Sequence, residues 1–221
     1  MTTAPATSGY APVEFEQYGQ RNLSASQPLL CSLLTAAEAG DARAQVQVGY
    51  ALRHGQGVAK DEQKAVFWYR KAAEQGEHKF LNGLQVFITS SLFVSSSESS
   101  AQFSLGLCFD FGRGVDEDQK QAVSRYGKAA DQGHARAQFR LGVAFDFGRG
   151  VDKDDQRAGV WYRKAAEQGH PKAQLYLGVC FSAGCGVDKD EQQSVFWYHK
   201  AAEQGDADAQ FNLGICFELG T

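Results

Sequence analysis

Apolar residues along the chain recur at helical spacing in blocks of 13 residues, and the blocks come in pairs. In the block ARAQFRLGVAFDF (135–147), Ala137, Leu141, Ala144 and Phe145 form one stripe, while Phe139, Val143 and Phe147 form a second. The partner block, DQRAGVWYRKAAEQ (155–168), reads as a second helix that ends at the glycine after it. No segment after residue 100 alternates with the period of two that marks a half-buried strand. Paired amphipathic blocks of this length predict helical hairpins, with the first helix apolar on two faces.

The pair repeats. AAEQG stands at 72–76, 165–169 and 201–205, with AADQG at 129–133, and an Ala-Gln pair recurs at Ala101, Ala137, Ala173 and Ala209 with a step of 36. Residues 58–76 match 187–205 at 15 of 19 positions, and 103–116 match 139–152 at 11 of 14. A period of this length signals a solenoid or array. Counting each unit from Asp41, Glu98, His134, His170 and Asp206, positions 2–14 predict a first helix stopped by Gly55, Gly112, Gly148, Gly184 or Gly220. A G-x-G-V loop follows. Asp61, Asp118, Asp154 and Asp190 then cap a second helix that runs to the recurring terminal glycine.

Eighteen of the 24 glycines fall at four positions of the unit, one of them inside the first helix: Gly49, Gly106, Gly142, Gly178 and Gly214. Glycine there costs about 1 kcal/mol relative to alanine. Its recurrence implies close helix–helix approach, with Tyr69, Tyr126, Tyr162 and Tyr198 as large counterparts beside Trp68, Trp161 and Trp197.

The pattern A-x-A-Q-x-x-L-G-x-x-[FY] … G-x-G-V-x-x-D-x-x-x-[AS] … W-Y-x-K-A-A-E-Q-G resembles the Sel-one-like repeat (SLR) family, relatives of the tetratricopeptide repeats. The resemblance runs from residue 41 to 221 apart from one insertion. It implies an all-α, right-handed α/α superhelix (solenoid) of 36-residue helix-turn-helix repeats. It also implies a non-catalytic adaptor or scaffold for other proteins. Alternatives it carries are a structural fragment of a larger protein in a ubiquitin-ligase or quality-control complex and, remotely, a hydrolase of the penicillin-binding type. Bacterial members of that last kind have a cysteine pair per repeat, which AAEQG and the Ala-Gln junction replace here.

The organisation expected is a flexible tail (1–22), a capping helix (23–40), repeat 1 (41–76), an atypical serine-rich insertion (77–97), repeats 2 to 4 (98–133, 134–169, 170–205) and half of a fifth (206–221). The insertion adds 21 residues to the regular junction and does not follow the helical repeat. It reads either as non-native sequence, such as a retained intron, or as a genuine surface loop. Stopping after a lone first helix reads as a fragment of a longer array or as a cap, the fragment being favoured. Repeat 2 departs from the pattern with Ser124, Arg125 and Gly127.

Charge and chemistry narrow the function. Net charge is −4, and the Lys and Arg are scattered, which argues against a nucleic-acid surface. No apolar run reaches membrane-spanning length, and the N-terminus lacks a secretory pattern, so a cytoplasmic or nuclear protein with free thiols is expected. The tripeptide DFG occurs at 110–112 and 146–148 without the other kinase signatures and reads as a helix end. Cys108, Cys180 and Cys216 share a position with alanines, which points to small buried side chains. His54, His134, His170 and His199 read as helix-end or solvent residues. Neither an enzyme, a cofactor, a metal site nor a small-molecule substrate is expected.

The second stripe of the first helix is the one feature beyond hairpin packing. By analogy with tetratricopeptide repeats it faces a concave groove, and the expected binding residues are Tyr50, Arg53, Phe103, Leu107, Asp110, Phe111, Arg136, Phe139, Val143, Asp146, Phe147, Lys172, Leu175 and Val179. Phe211, Ile215 and Glu218 continue the series, and Arg43 shares the position of Arg136 and Lys172. An apolar trough with acids on one side and bases on the other suits a peptide or helix bearing basic and apolar side chains. The competing reading is that the stripe packs between successive units.

Overall fold

The computed structural model describes residues 27–81 and 91–219, in which ten helices and no strand are formed. The helices are α1 (Gln27–Glu38), α2 (Ala42–His54), α3 (Glu62–Leu81), α4 (Ser91–Asp110), α5 (Gln119–Asp131), α6 (Ala135–Phe147), α7 (Asp155–Glu167), α8 (Pro171–Ala183), α9 (Glu191–Glu203) and α10 (Ala207–Leu219). Each helix packs on the next in sequence, and α2 also touches α4. The result is an all-α solenoid with first helices (α2, α4, α6, α8, α10) in one layer and second helices (α3, α5, α7, α9) in the other.

Local signals fix the helix ends. The side chains of Asp118, Asp154 and Asp190 accept from the third backbone N–H of α5, α7 and α9, and Asp61 does the same at α3. His134 and His170 cap α6 and α8 through Nδ1, each 3.2 Å from a backbone N–H. Gly55, Gly148 and Gly184 end their helices in the left-handed region.

Two expected boundaries differ. α3 runs past Gly76 to Leu81, and α4 begins at Ser91, upstream of the position expected from the other units. Helical hydrogen bonding continues because no proline or glycine stands at 77–81 or 91–101. Both ends of the serine-rich insertion are therefore helical; 82–90 lie outside the described residues, as do the expected tail at 1–22 and the stop at Gly220.

The interior glycines do what their spacing implies. A Cβ added at Gly49, Gly106, Gly142 or Gly178 would lie 2.5–2.7 Å from the ring of Tyr69, Tyr126, Tyr162 or Tyr198. Each tyrosine is buried against its own first helix, and the missing methyl admits the ring.

The recurring glutamines join units. Gln138 and Gln174 are buried and donate to the Ala130 and Ala166 carbonyls at 3.1 Å. They accept from Gln168 at 2.6 Å and Gln204 at 2.7 Å. Such satisfaction matters, because a buried amide left unpaired costs about 1–3 kcal/mol. In repeat 2 the role passes to Arg125, whose Nη1 donates to Gln102 at 3.2 Å. Arginine in place of tryptophan thus keeps the buried glutamine paired.

Candidate binding face

The second stripe of the first helices divides in two. At position 6, Phe103 and Leu175 are only 6% and 5% exposed. Phe103 stacks on His134 at 4.7 Å and Phe139 on His170 at 4.8 Å, each ring lying on the helix cap of the following unit. These side chains pack between units. Leu107 and Val143 are half-buried in the same seam. Tyr50, Phe111, Phe147 and Val179, at positions 10 and 14, are exposed, with Phe111 at 47% and Phe147 at 58%. The series extends to Phe211 and Ile215 on α10.

Asp110 and Asp146 do not form a free acidic row. The Tyr126 hydroxyl donates to Asp110 Oδ2 at 2.8 Å, and the Tyr162 hydroxyl donates to Asp146 Oδ2 at 2.9 Å. Burial, reinforced by the facing carboxylate, pushes both phenols well above their ordinary range. Arg140 also reaches Asp110 from the next unit, at 3.8 Å. Asp110 and Asp146 sit where the first helix ends over the second, so the nearest buried hydroxyl takes them. Lys172 is likewise held, 3.1 Å from Asp206 and 2.8 Å from Asp208.

What faces outward from repeats 2 and 3 is aromatic and positive. The guanidinium groups of Arg113 and Arg140 lie 5.0 and 5.5 Å from the centre of the Phe111 ring. Arg149 lies 5.8 Å from Phe147, and Arg136 lies 5.1 Å from Phe103. With Asp110 and Asp146 engaged internally, the charges left exposed on this stretch are those of Arg113, Arg136 and Arg149. Arg113, Arg140 and Arg149 were not among the residues expected on this face. Their signal was present in the GRGV loop repeated 36 residues apart and in Arg140, one position beyond Phe139. Arg43 and Arg136 are exposed at position 3, and Glu218 is exposed on α10. Arg53 is half-buried at the end of α2.

The opposite layer presents its own series. Phe67, Val160 and Phe196 share one repeat position on α3, α7 and α9 and are about half exposed. Ser124 occupies that place on α5, so the stripe is interrupted at repeat 2.

Among the described residues no group of three His, Cys, Asp or Glu side chains could hold a metal ion. Cys180 is buried, and burial pushes its thiol up to about 12, away from thiolate reactivity. His134 and His170 titrate below their ordinary value because of burial and the Arg136 charge. Among the described residues no helix is long and apolar enough to cross a membrane.

Comparison with known proteins is consistent with the repeat geometry. The family model described as Sel1 repeat matches residues 42–77, 99–134, 135–170, 171–206 and 207–221. A Sel1 repeat protein from Oxalobacter formigenes is 32% identical over 87% of this chain and 68% of its own, with a TM-score of 0.70. A protective antigen of uropathogenic Escherichia coli displaying an SLR fold is also 32% identical. That match covers 90% of this chain and 45% of the antigen, with a TM-score of 0.55, so the chain spans under half the antigen's length. Comparison with curated proteins returned no match.

Proposed function

The chain belongs to the Sel1 repeat family, and we propose that it is a non-catalytic scaffold whose first-helix face holds a segment of another protein. The observation that carries this reading is the exposure of Phe111 and Phe147, 36 residues apart at the C-terminal ends of successive first helices and each flanked by arginine. Aromatic side chains left open at one repeat position, beside cations that keep them wet at the rim, match the anatomy of a binding surface. The occupant is an extended or helical segment with apolar anchors and acidic neighbours, in the cytoplasm or nucleus.

The experiment is affinity capture with three full-length forms: wild type, a Phe111→Asp, Phe147→Asp variant, and a Phe67→Asp, Phe196→Asp variant, each confirmed helical by circular dichroism. A partner kept by the outer-layer variant and lost by the first-helix variant supports the reading. The reverse pattern favours a second reading, in which the Phe67, Val160 and Phe196 stripe is the docking surface.

A further inference from the structure

Repeat 1 departs from the tyrosine–carboxylate pairing of repeats 2 and 3. At the position of Asp110 and Asp146 it carries Arg53. Tyr69, the counterpart of Tyr126 and Tyr162, is 0% exposed, and its hydroxyl has no hydrogen-bond partner. Arg53 Nε is buried and equally unpartnered. Arg53 and Ser104 are close enough to the hydroxyl to offset part of the burial effect on it, but neither forms a well-aligned hydrogen bond with it. Burial holds the Tyr69 phenol protonated, pushed up to about 12, so it is available as a donor.

The surroundings favour an anion. Arg113 and Glu62 are the other charged side chains felt at this junction. The Glu62 carboxylate is taken by Lys60 at 2.9 Å, and the buried Cys108 thiol is pushed up by burial and so remains neutral. Two donors, one cationic, thus converge on a place where the same fold elsewhere puts a carboxylate. Arg53 is half-buried at the end of α2. Tyr50 is exposed one helical turn before it.

We propose that Arg53 and Tyr69 form a receptor for a carboxylate supplied in trans, an acidic side chain of the segment bound along the first-helix face. The proposal rests on that reading of the face and names its chemistry. Arg53 Nε–H and the Tyr69 hydroxyl donate to the incoming carboxylate, which restores from outside the contact that Asp110 and Asp146 make from inside. The arginine adds charge-assisted hydrogen bonding, which is stronger than a neutral contact.

The test uses the full chain and two small probes, N-acetylglutamate amide and its uncharged glutamine analogue, at constant ionic strength. The arginine Nε–H resonances are followed by NMR. The glutamate compound is expected to shift the Arg53 signal saturably and the glutamine compound at least about tenfold more weakly, the equivalent of one hydrogen bond to a charged group. Arg53→Asp, which installs the residue type of repeats 2 and 3, is expected to stay folded and lose binding. Tyr69→Phe keeps the ring against Gly49 and is expected to weaken binding severalfold. Equal response to the two probes, no saturable shift, or undiminished affinity in Arg53→Asp overturns the proposal. Because the capture experiment turns on Phe111 and Phe147, a failure here and a failure of the face as a whole are separately visible.

Discussion

The Tyr162 hydroxyl donates to Asp146 Oδ2 at 2.9 Å, tying the end of a first helix to the middle of its second helix. That bond removes from the surface a charge that sequence pattern alone assigns to partner recognition. It also makes a stability prediction. Asp146→Ala leaves a buried hydroxyl unpaired and should cost about 1–3 kcal/mol, whereas Tyr162→Phe removes the donor and should cost about 0.5–1.5 kcal/mol. Urea denaturation of the two variants separates them, and a milder effect for Asp146→Ala than for Tyr162→Phe contradicts the assignment.

Two glycines at the same repeat position should respond in opposite directions. At Gly142 a new methyl would stand 2.6 Å from the Tyr162 ring, while at Gly214 it would meet nothing within 4 Å. Gly142→Ala should therefore destabilise by about 1–3 kcal/mol through overpacking. Gly214→Ala should be neutral or stabilise by up to about 1 kcal/mol from helix propensity. Thermal melts of the pair check this.

Stability should fall in mild acid through two helix caps. His134 and His170 accept a backbone hydrogen bond only when neutral, and burial with the Arg136 charge lowers both from their ordinary value. The unfolded chain takes up these protons near pH 6.5 while the folded chain resists. Their contribution is therefore complete above that pH and is lost as pH falls below it. A His134→Asn, His170→Asn variant keeps capping oxygens without the titration. Its melting temperature should decline less between pH 7 and pH 5 than that of wild type.

Binding through the first-helix face should weaken with salt, because the exposed Arg113 and Arg149 are the cations that the proposed acidic segment would meet. Arg149→Ala should lower association rate and salt dependence together, as measured by biolayer interferometry with the captured partner. A salt-independent interaction would place the contact elsewhere.

The repeat, the helix caps and the Gly–Tyr packing were legible in the sequence because each is a local rule repeated with fixed period. Gly49 and Tyr69 lie 20 residues apart in one unit, and so do Gly142 and Tyr162. The binding face was legible only in part. Helical spacing places Phe103 and Phe111 on one stripe, yet Phe103 meets a histidine cap from the next unit while Phe111 does not. That difference depends on the offset between neighbouring units, which no single-helix periodicity contains. The fate of Asp110 and Asp146 was hidden for the same reason: their partner tyrosines sit 16 residues away on another helix. The extension of α3 and α4 into the serine-rich insertion runs against its β-branched and aromatic composition.

The claim that the first-helix face is the working surface is tested most directly by site-specific photocrosslinking in cells. Val179 on α8 and Val160 on α7 are comparably exposed, 42% and 53%, on opposite layers of the same region. Each is replaced in turn by benzoylphenylalanine. A discrete crosslinked protein from position 179, absent when position 160 carries the probe and lost on Phe111→Asp, Phe147→Asp substitution, is the expected result. Crosslinking from position 160 alone, or equally from both, would contradict it.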